Sequence, residues 1–215
     1  MLICVSPVAT REYVAVSFSW PTPWWVLVSA TVAPVALIGG WTLAAAVQPD
    51  GFDSATETIS ALAAVGTPDR WIMTLAIGIT GVCHVITAAG LREAATPGRA
   101  IYALAGLATF LVALFPLPDM TGSSVAHGVV AAGSFVGLAV WPVMARNRLA
   151  RNPALRDGYP VIATAVLGIL VLTFFAIVAT AGPGVGLTER VAAGAEALWP
   201  LVVVVTGVRA AAADV

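Results

Sequence analysis

Six apolar runs dominate this 215-residue chain, and each is close to the length that a bilayer core requires. A helix needs about 20 apolar residues to cross a membrane. The predicted spans cover residues 24–47, 71–91, 100–115, 124–145, 159–181 and 187–208. The charged share of 10% is also low, since soluble domains carry roughly 25%. The sequence therefore predicts an all-α integral membrane protein, a six-transmembrane-helix bundle. Residues 23–209 form its membrane domain, between cytoplasmic tails at residues 1–22 and 210–215.

The arginines indicate on which side of the membrane each loop lies. All ten basic residues are Arg, and with both termini inside only Arg70 and Arg190 fall outside. The eight on the cytoplasmic side are Arg11, Arg92, Arg99, Arg146, Arg148, Arg151, Arg156 and Arg209. Cytoplasmic loops carry an excess of basic residues. We therefore predict a multi-pass protein of the cell membrane with both termini in the cytoplasm.

Residues 50–71 separate the first two spans and are too polar to cross a bilayer. Ser54 and Glu57 have the S-x-x-E spacing of a capping box, which predicts a helix beginning at Ser54. Gly66 and Pro68 are expected to end it. The apolar face of this helix would consist of Ile59, Leu62, Ala63 and Val65, and the polar face of Thr56, Glu57 and Ser60. The pattern predicts a short amphipathic helix on the non-cytoplasmic side of the membrane. Asp69 would then cap the second span.

Ionisable side chains inside a bilayer are costly and mark candidate functional sites. Four candidate catalytic residues are predicted to share the outer third of the bundle, namely Asp119, His127, Glu189 and Glu196. The two glutamates are seven residues apart and so lie on one helix face. The candidate binding residues beside them are Thr56, Glu57, Ser60, His84 and Arg190.

Carboxylates and an imidazole that converge in one place are able to bind a divalent metal or to act as acid and base. The metal candidates are Asp119, His127 and Glu196. The chain has no H-x-x-x-H, H-E-x-x-H or C-x-x-C motif. We therefore predict no cofactor and keep a divalent metal as the alternative. Structural roles also stay open: Glu189 as an interfacial residue in water, Asp119 as a helix cap, and His127 bonded to a backbone carbonyl.

His84 lies deep in the second span, with Thr80 and Thr87 on the same face. A polar track or an axial haem ligand is one interpretation. A haem needs a second ligand at the same depth, and His127 is too close to the outer surface. The favoured interpretation is a core histidine bonded to a threonine or to the backbone.

Several short motifs lie between the spans in a fixed order. They are S-A-T-E-T-I-S-A-L from Ser54, R-W-I-M from Arg70, F-P-L-P-D from Phe115, A-H-G from Ala126 and G-L-T-E-R from Gly186. With them, residues 25–208 resemble the bacterial membrane family catalogued as domain of unknown function 998. The resemblance implies a six-span integral membrane protein and supplies no activity.

Three classes of function remain at this point. The favoured one is an accessory or scaffold subunit, or a lipid-contacting membrane subunit, with an outward-facing polar pocket and a possible membrane-protein partner. The second is a carrier or binder of a lipid or small apolar solute, which would use the pocket beneath the short helix. The third is a membrane-embedded metal-dependent hydrolase or transferase. The lipid bilayer is the predicted partner in every case, and no basic patch interleaved with aromatic residues indicates a nucleic acid.

Overall fold

The structure is a computed structural model that describes residues 22–49 and 51–213. Over these residues it contains six helices that are long and apolar enough to cross a membrane. They are α1 (Trp24–Ala46), α3 (Trp71–Gly90), α4 (Thr96–Leu114), α5 (Val125–Met144), α6 (Tyr159–Ala179) and α7 (Val185–Ala212). A four-residue helix, α2 (Ile59–Leu62), and a 3₁₀ turn, Pro153–Leu155, lie in the connections. The predicted six-span helical bundle is confirmed. Predictions on Arg11, Asp50 and most of the N-terminal tail fall outside the described residues.

The membrane helices form a closed ring. Each packs against the next membrane helix along the chain, and α7 returns to pack against α1. Short connections make neighbouring helices antiparallel, so the ring has two ends. We call one the insert end, comprising residues 51–70, 115–124 and 180–184. The other is the loop end, comprising residues 91–95 and 145–158 with the start of α1 and the end of α7.

Small residues allow the helices of the ring to approach closely. A Cβ atom on Gly81 of α3 would lie 2.5 Å from the backbone nitrogen of Phe110 in α4. A Cβ atom on Gly137 of α5 would lie 2.7 Å from the Cβ atom of Ala105. Small residues at such contacts are typical of membrane helix packing. These glycines therefore serve contacts inside the bundle.

The outer surface of the ring is apolar. In α6 the side chains of Ile162, Ile169 and Leu172 are 61–69% exposed. At the loop end, Tyr102 and Trp141 are almost fully buried, and their rings stack with centroids 4.5 Å apart. Apolar side chains that face outward along a membrane-length helix are suited to lipid. The fold is that of a multi-pass membrane protein.

The insert differs from the predicted helix. The helix begins at Ile59 rather than Ser54, and the Thr58 side chain caps it by accepting a hydrogen bond from the Ala61 nitrogen. The carboxylate of Asp53 instead bonds the Ala55 nitrogen and the Thr56 hydroxyl. Such local side-chain bonds compete with helix formation. The capping box prediction at Ser54 is therefore wrong.

Two other boundary predictions need correction. Arg70, not Asp69, precedes α3, and Asp69 has a left-handed backbone with φ of 50°. The Asp69 carboxylate accepts a hydrogen bond from the Trp71 indole instead. Helix α4 begins at Thr96, four residues before the predicted start, because Pro97 is compatible with a first helical turn. A further correction concerns the apolar face of the insert, because Val65, which was assigned to it, is 51% exposed.

Candidate functional site

A cavity lies inside the ring and reaches from Ser60 at the insert end to His84, near the middle of α3. The centres of water-sized molecules have a volume of about 70 Å³ available to them inside this cavity. A single buried water needs roughly 10–15 Å³ on this measure. Most of the wall is apolar, with side chains such as Leu37, Phe135 and Leu138. The polar residues of the wall are Ser60, Thr80, His84, Thr109, Ser134, Glu189 and Glu196.

Glu196 is the most unusual residue of this wall. Its side chain is 1% exposed, and its Oε1 atom is buried without a hydrogen-bond partner in the described part of the chain. A buried polar atom without a partner costs free energy, and the great majority of such atoms in native proteins are bonded. Each unsatisfied group therefore needs an explanation, and here it lines a cavity.

Glu189, two turns earlier in α7, is bonded on both oxygens. Its Oε2 atom accepts a hydrogen bond from the Ile59 nitrogen at 2.5 Å, and its Oε1 atom lies 3.4 Å from the Ser60 hydroxyl. Glu189 is 4% exposed, so the interpretation as an interfacial residue in water is wrong. It holds the start of α2 against α7 over the cavity.

His127, in the first turn of α5, continues this chain of contacts. Its Nδ1 atom lies 2.8 Å from the carbonyl oxygen of Phe115, and its Nε2 atom lies 3.1 Å from the Ser60 hydroxyl. A carbonyl oxygen only accepts, so Nδ1 carries a proton. Ser60 thus lies between the imidazole of His127 and the carboxyl group of Glu189, and its one hydroxyl proton is donated to either of them but not to both at once. Such a chain is able to pass a proton or to activate the serine hydroxyl.

His84 marks the inner limit of the cavity. Its Nδ1 atom lies 2.8 Å from the hydroxyl of Tyr102 in α4. The sequence predicted a threonine or backbone partner, which is wrong. Thr80 donates to the carbonyl of Ala76 on its own helix, and Thr87 bonds the Ser29 hydroxyl of α1. The tyrosine was missed because it lies on another helix, 18 residues away.

Asp119 does not reach the cavity. Its exposed carboxylate accepts hydrogen bonds from the backbone nitrogen and the hydroxyl of Thr121, at 2.9 and 3.0 Å. These bonds, the backbone bond first, lower the pKa of the Asp119 carboxyl group. The residue does not cap α5 either, since the Ser124 side chain takes that position.

Arg190, Thr56 and Glu57 also lie outside the cavity wall. The Arg190 guanidinium donates to the carbonyl oxygens of Ser54, Glu57 and Gly186, and so holds the insert on α7. Among the residues that the structure describes, no three His, Cys, Asp or Glu side chains are grouped as metal ligands would be. The four catalytic candidates are therefore not one cluster.

Two hydroxyl residues of the wall are not among the site residues predicted from the sequence. The Ser134 and Thr109 hydroxyls lie 2.6 Å apart, and Thr109 donates to the Ala105 carbonyl oxygen. Because Thr109 uses its only proton on Ala105, Ser134 must be the donor between them. A lone serine or threonine within an apolar span was the available signal.

The ring of six spans and its partly polar interior define the class, a multi-pass helical membrane protein. Residues 30–206 match the family model described as "Protein of unknown function (DUF998)". The chain belongs to that family, whose activity is undefined. No curated protein and no solved structure matches the chain significantly.

Proposed function

We propose that the protein binds or carries a small, largely apolar solute within the bilayer. The observation that carries this proposal is the unpartnered carboxyl group of Glu196 in the wall of an otherwise mainly apolar cavity. Ligand sites commonly combine apolar walls with a few polar groups that fix orientation. Intramembrane ionisable residues often mark the path of a substrate.

The depth of Glu196 supports the proposal. It follows the first residue of α7 by eleven positions, which corresponds to roughly 17 Å at 1.5 Å per residue. Transporters bind their substrates near the bilayer midplane. The solute would occupy the space between Glu196, His84 and Phe135, beneath the insert.

The site is proposed to face the non-cytoplasmic side. Seven described arginines lie in or within one to two helical turns of the loop end, and only Arg70 and Arg190 lie in or near the insert end, an asymmetry that supports cytoplasmic termini. The test uses a variant without cysteines that carries either Ala55→Cys at the insert end or Arg148→Cys at the loop end. A membrane-impermeant maleimide should label only the Ala55→Cys protein in intact cells. Labelling of only the Arg148→Cys protein would reverse the orientation.

Binding itself is tested by filling the cavity. Ala131 of α5 lines it, and the adjacent Ala132 does not. In lipid nanodiscs, we expect saturable binding of n-butanol by the wild-type protein, measured by calorimetry against empty nanodiscs. Ala131→Leu should weaken this binding at least tenfold, and Ala132→Leu should leave it unchanged. Absence of saturable binding to the wild-type protein would exclude the proposal for solutes of this size.

A second candidate function is a membrane-embedded hydrolase that uses Ser60. The hydroxyl of Ser60 lies 3.1 Å from His127 Nε2, and a carbonyl orients the imidazole, as in an activated nucleophile. It ranks second because the flanking backbone N–H groups of Ile59 and Ala61 are already bonded, and an oxyanion site needs free donors. A fluorophosphonate probe that labels wild-type protein but not Ser60→Ala would favour it.

Two other hypotheses stay predictions. A metal-dependent reaction would require metal to co-purify in stoichiometric amount and to be lost in His127→Ala. An accessory subunit would require a partner to co-purify under gentle extraction, with little effect from substitutions in the cavity.

A further inference from the structure

We infer that the solute of this cavity is a small organic cation with a primary ammonium group, and that its binding displaces a proton from Glu196. This inference rests on the proposed binding function and names its class of ligand. It starts from the difference between the two buried carboxyl groups of α7.

Glu189 already has hydrogen-bond partners in the insert. Both its oxygens are contacted, by the Ile59 nitrogen and the Ser60 hydroxyl. Glu196 is equally buried, lines the same cavity and has an oxygen without a partner. An isolated carboxylate is far more costly to bury than a carboxylic acid. In the empty cavity Glu196 therefore holds a proton.

The other polar groups of the wall favour a donor ligand. Ser134 gives its proton to Thr109, so its lone pairs are what it offers to the cavity. The ring of Phe135 also lines the cavity, and the face of an aromatic ring attracts cations. A primary ammonium group supplies three N–H donors and one positive charge. It matches a carboxylate, a hydroxyl acceptor and a ring face together, which an alcohol does not.

No resident cation competes for Glu196. The other titratable groups of the cavity wall are His84 of α3 and Glu189 of α7, and no described arginine lines it. His84 is bonded through Nδ1 to the Tyr102 hydroxyl. A positive ligand is therefore the natural counter-ion of an ionised Glu196.

The binding step balances in charge and atoms. An alkylammonium ion, R–NH₃⁺, enters and the O–H bond of the Glu196 carboxyl group breaks. The products are the ion pair of R–NH₃⁺ with the Glu196 carboxylate and one released proton. No other covalent bond changes and nothing is oxidised or reduced. The net charge of the cavity is the same before and after, which limits the cost of burying the ligand.

The test compares two probes of equal chain length, n-butylammonium chloride and n-butanol, on the protein in lipid nanodiscs. Calorimetry in two buffers of different ionisation enthalpy counts the protons released. We expect about one proton per bound n-butylammonium and none per n-butanol. Glu196→Gln should weaken n-butylammonium binding at least tenfold, abolish proton release and keep n-butanol binding. Asp157→Asn, an exposed carboxyl at the loop end whose positive φ suits asparagine, is the matched control and should behave as wild type.

The outcomes separate the two proposals. If the wild-type protein binds n-butanol but not n-butylammonium, or binds n-butylammonium without releasing a proton, the inference fails and the binding function stands. If it binds neither probe, both fail. The comparison of the two probes on wild-type protein decides this even if Glu196→Gln does not fold.

Discussion

The two ends of the bundle hold irregular backbone in place by different means. At the insert end, ionisable side chains of α7 do so: Glu189 bonds the Ile59 nitrogen, and Arg190 bonds the carbonyls of Ser54 and Glu57. At the loop end, the Glu93 carboxylate accepts a hydrogen bond from the Asn152 nitrogen at 3.0 Å, and the side-chain amide of Asn152 joins the loop to α7. Asn152 donates to the Val203 carbonyl at 2.8 Å and accepts from the Thr206 hydroxyl and the Ala154 nitrogen at 3.0 Å.

The two ends also differ in how closely the side chains beneath them are packed. Under the loop end the side chains of Tyr102, Trp141 and Leu155 are almost completely buried in one cluster. The pocket beside Glu93 at that end has only about 10 Å³. Under the insert end lies the cavity of about 70 Å³ with the unpartnered Glu196. Unpartnered buried atoms occur at both ends, since Trp141 Nε1 also lacks a partner, but at the insert end such an atom lines the larger of the two cavities.

The largest effect on stability is expected at the loop end. Asn152→Ala removes the hydrogen bonds to the Val203 carbonyl and from the Ala154 nitrogen, and the contact with the Thr206 hydroxyl, from a residue that is 3% exposed. We expect the free energy of unfolding to fall by about 3 kcal/mol, because leaving a buried donor or acceptor without its partner costs roughly 1–3 kcal/mol per group. Reversible unfolding in mixed micelles measures it. Asn147→Ala, on the same loop but less buried, is the control and should cost clearly less. Equal losses would contradict the central position of Asn152.

A somewhat smaller loss is expected at the insert. Glu189→Ala leaves the Ile59 N–H without its partner, and we expect a loss of about 2 kcal/mol, since bonds to charged or buried groups contribute roughly 1–3 kcal/mol. Hydrogen exchange of the amides of residues 59–62 should accelerate. Thr188→Ala, one position earlier, bonds only within α7 and should leave this exchange unchanged. Unaltered exchange in Glu189→Ala would refute the role of Glu189 as an anchor.

Substitution of Glu196 should change the free energy of unfolding in the opposite direction. Glu196→Leu removes a buried polar atom that has no partner, so the ligand-free protein should gain about 1 kcal/mol, because replacing uncompensated buried polar groups by apolar ones is often stabilising. Glu189→Leu is the matched comparison and should destabilise. The same unfolding assay, without added solute, measures both. A loss of stability in Glu196→Leu would mean that its carboxyl group has a structural role.

The smallest effect is expected at Asp119. Hydrogen bonds from Thr121 lower the pKa of this exposed carboxyl group in the folded protein. Its stabilising contribution is therefore complete above the unfolded pKa of about 3.9 and is lost as the pH falls through the lower folded value. The difference in thermal midpoint between wild type and Asp119→Asn should be slight at neutral pH and should vanish in acid. A change in n-butanol binding by Asp119→Asn would contradict its position outside the cavity.

Much of the fold was predictable because a bilayer restricts the chain severely. The apolar runs gave six helices near their predicted positions. The start of α2 was not predictable from the capping pattern. Ser54 and Glu57 have the right spacing, but Arg190 takes their carbonyl oxygens and Asp53 bonds the intervening backbone.

The candidate site was predictable only in part. Glu189 and Glu196 were expected on one helix face, and both line the cavity. The contact of Ser60 with His127 joins residues 67 positions apart and has no sequence signal. Asp119 was grouped with them because it lies at the same end of the bundle, but its bonds to Thr121 keep it in the exposed turn.

The sequence by itself determined that this chain crosses the membrane six times, because each apolar run has the length of a bilayer core and the backbone in lipid must be helical. It also determined where the ionisable residues lie along each span. Only the tertiary structure decided which of them have partners. Glu189 and Glu196 are the same residue on the same face of one helix. The insert folded over Glu189 supplies hydrogen bonds to it, and an oxygen of Glu196 is left without a partner, because that difference depends on backbone brought in from 130 positions away.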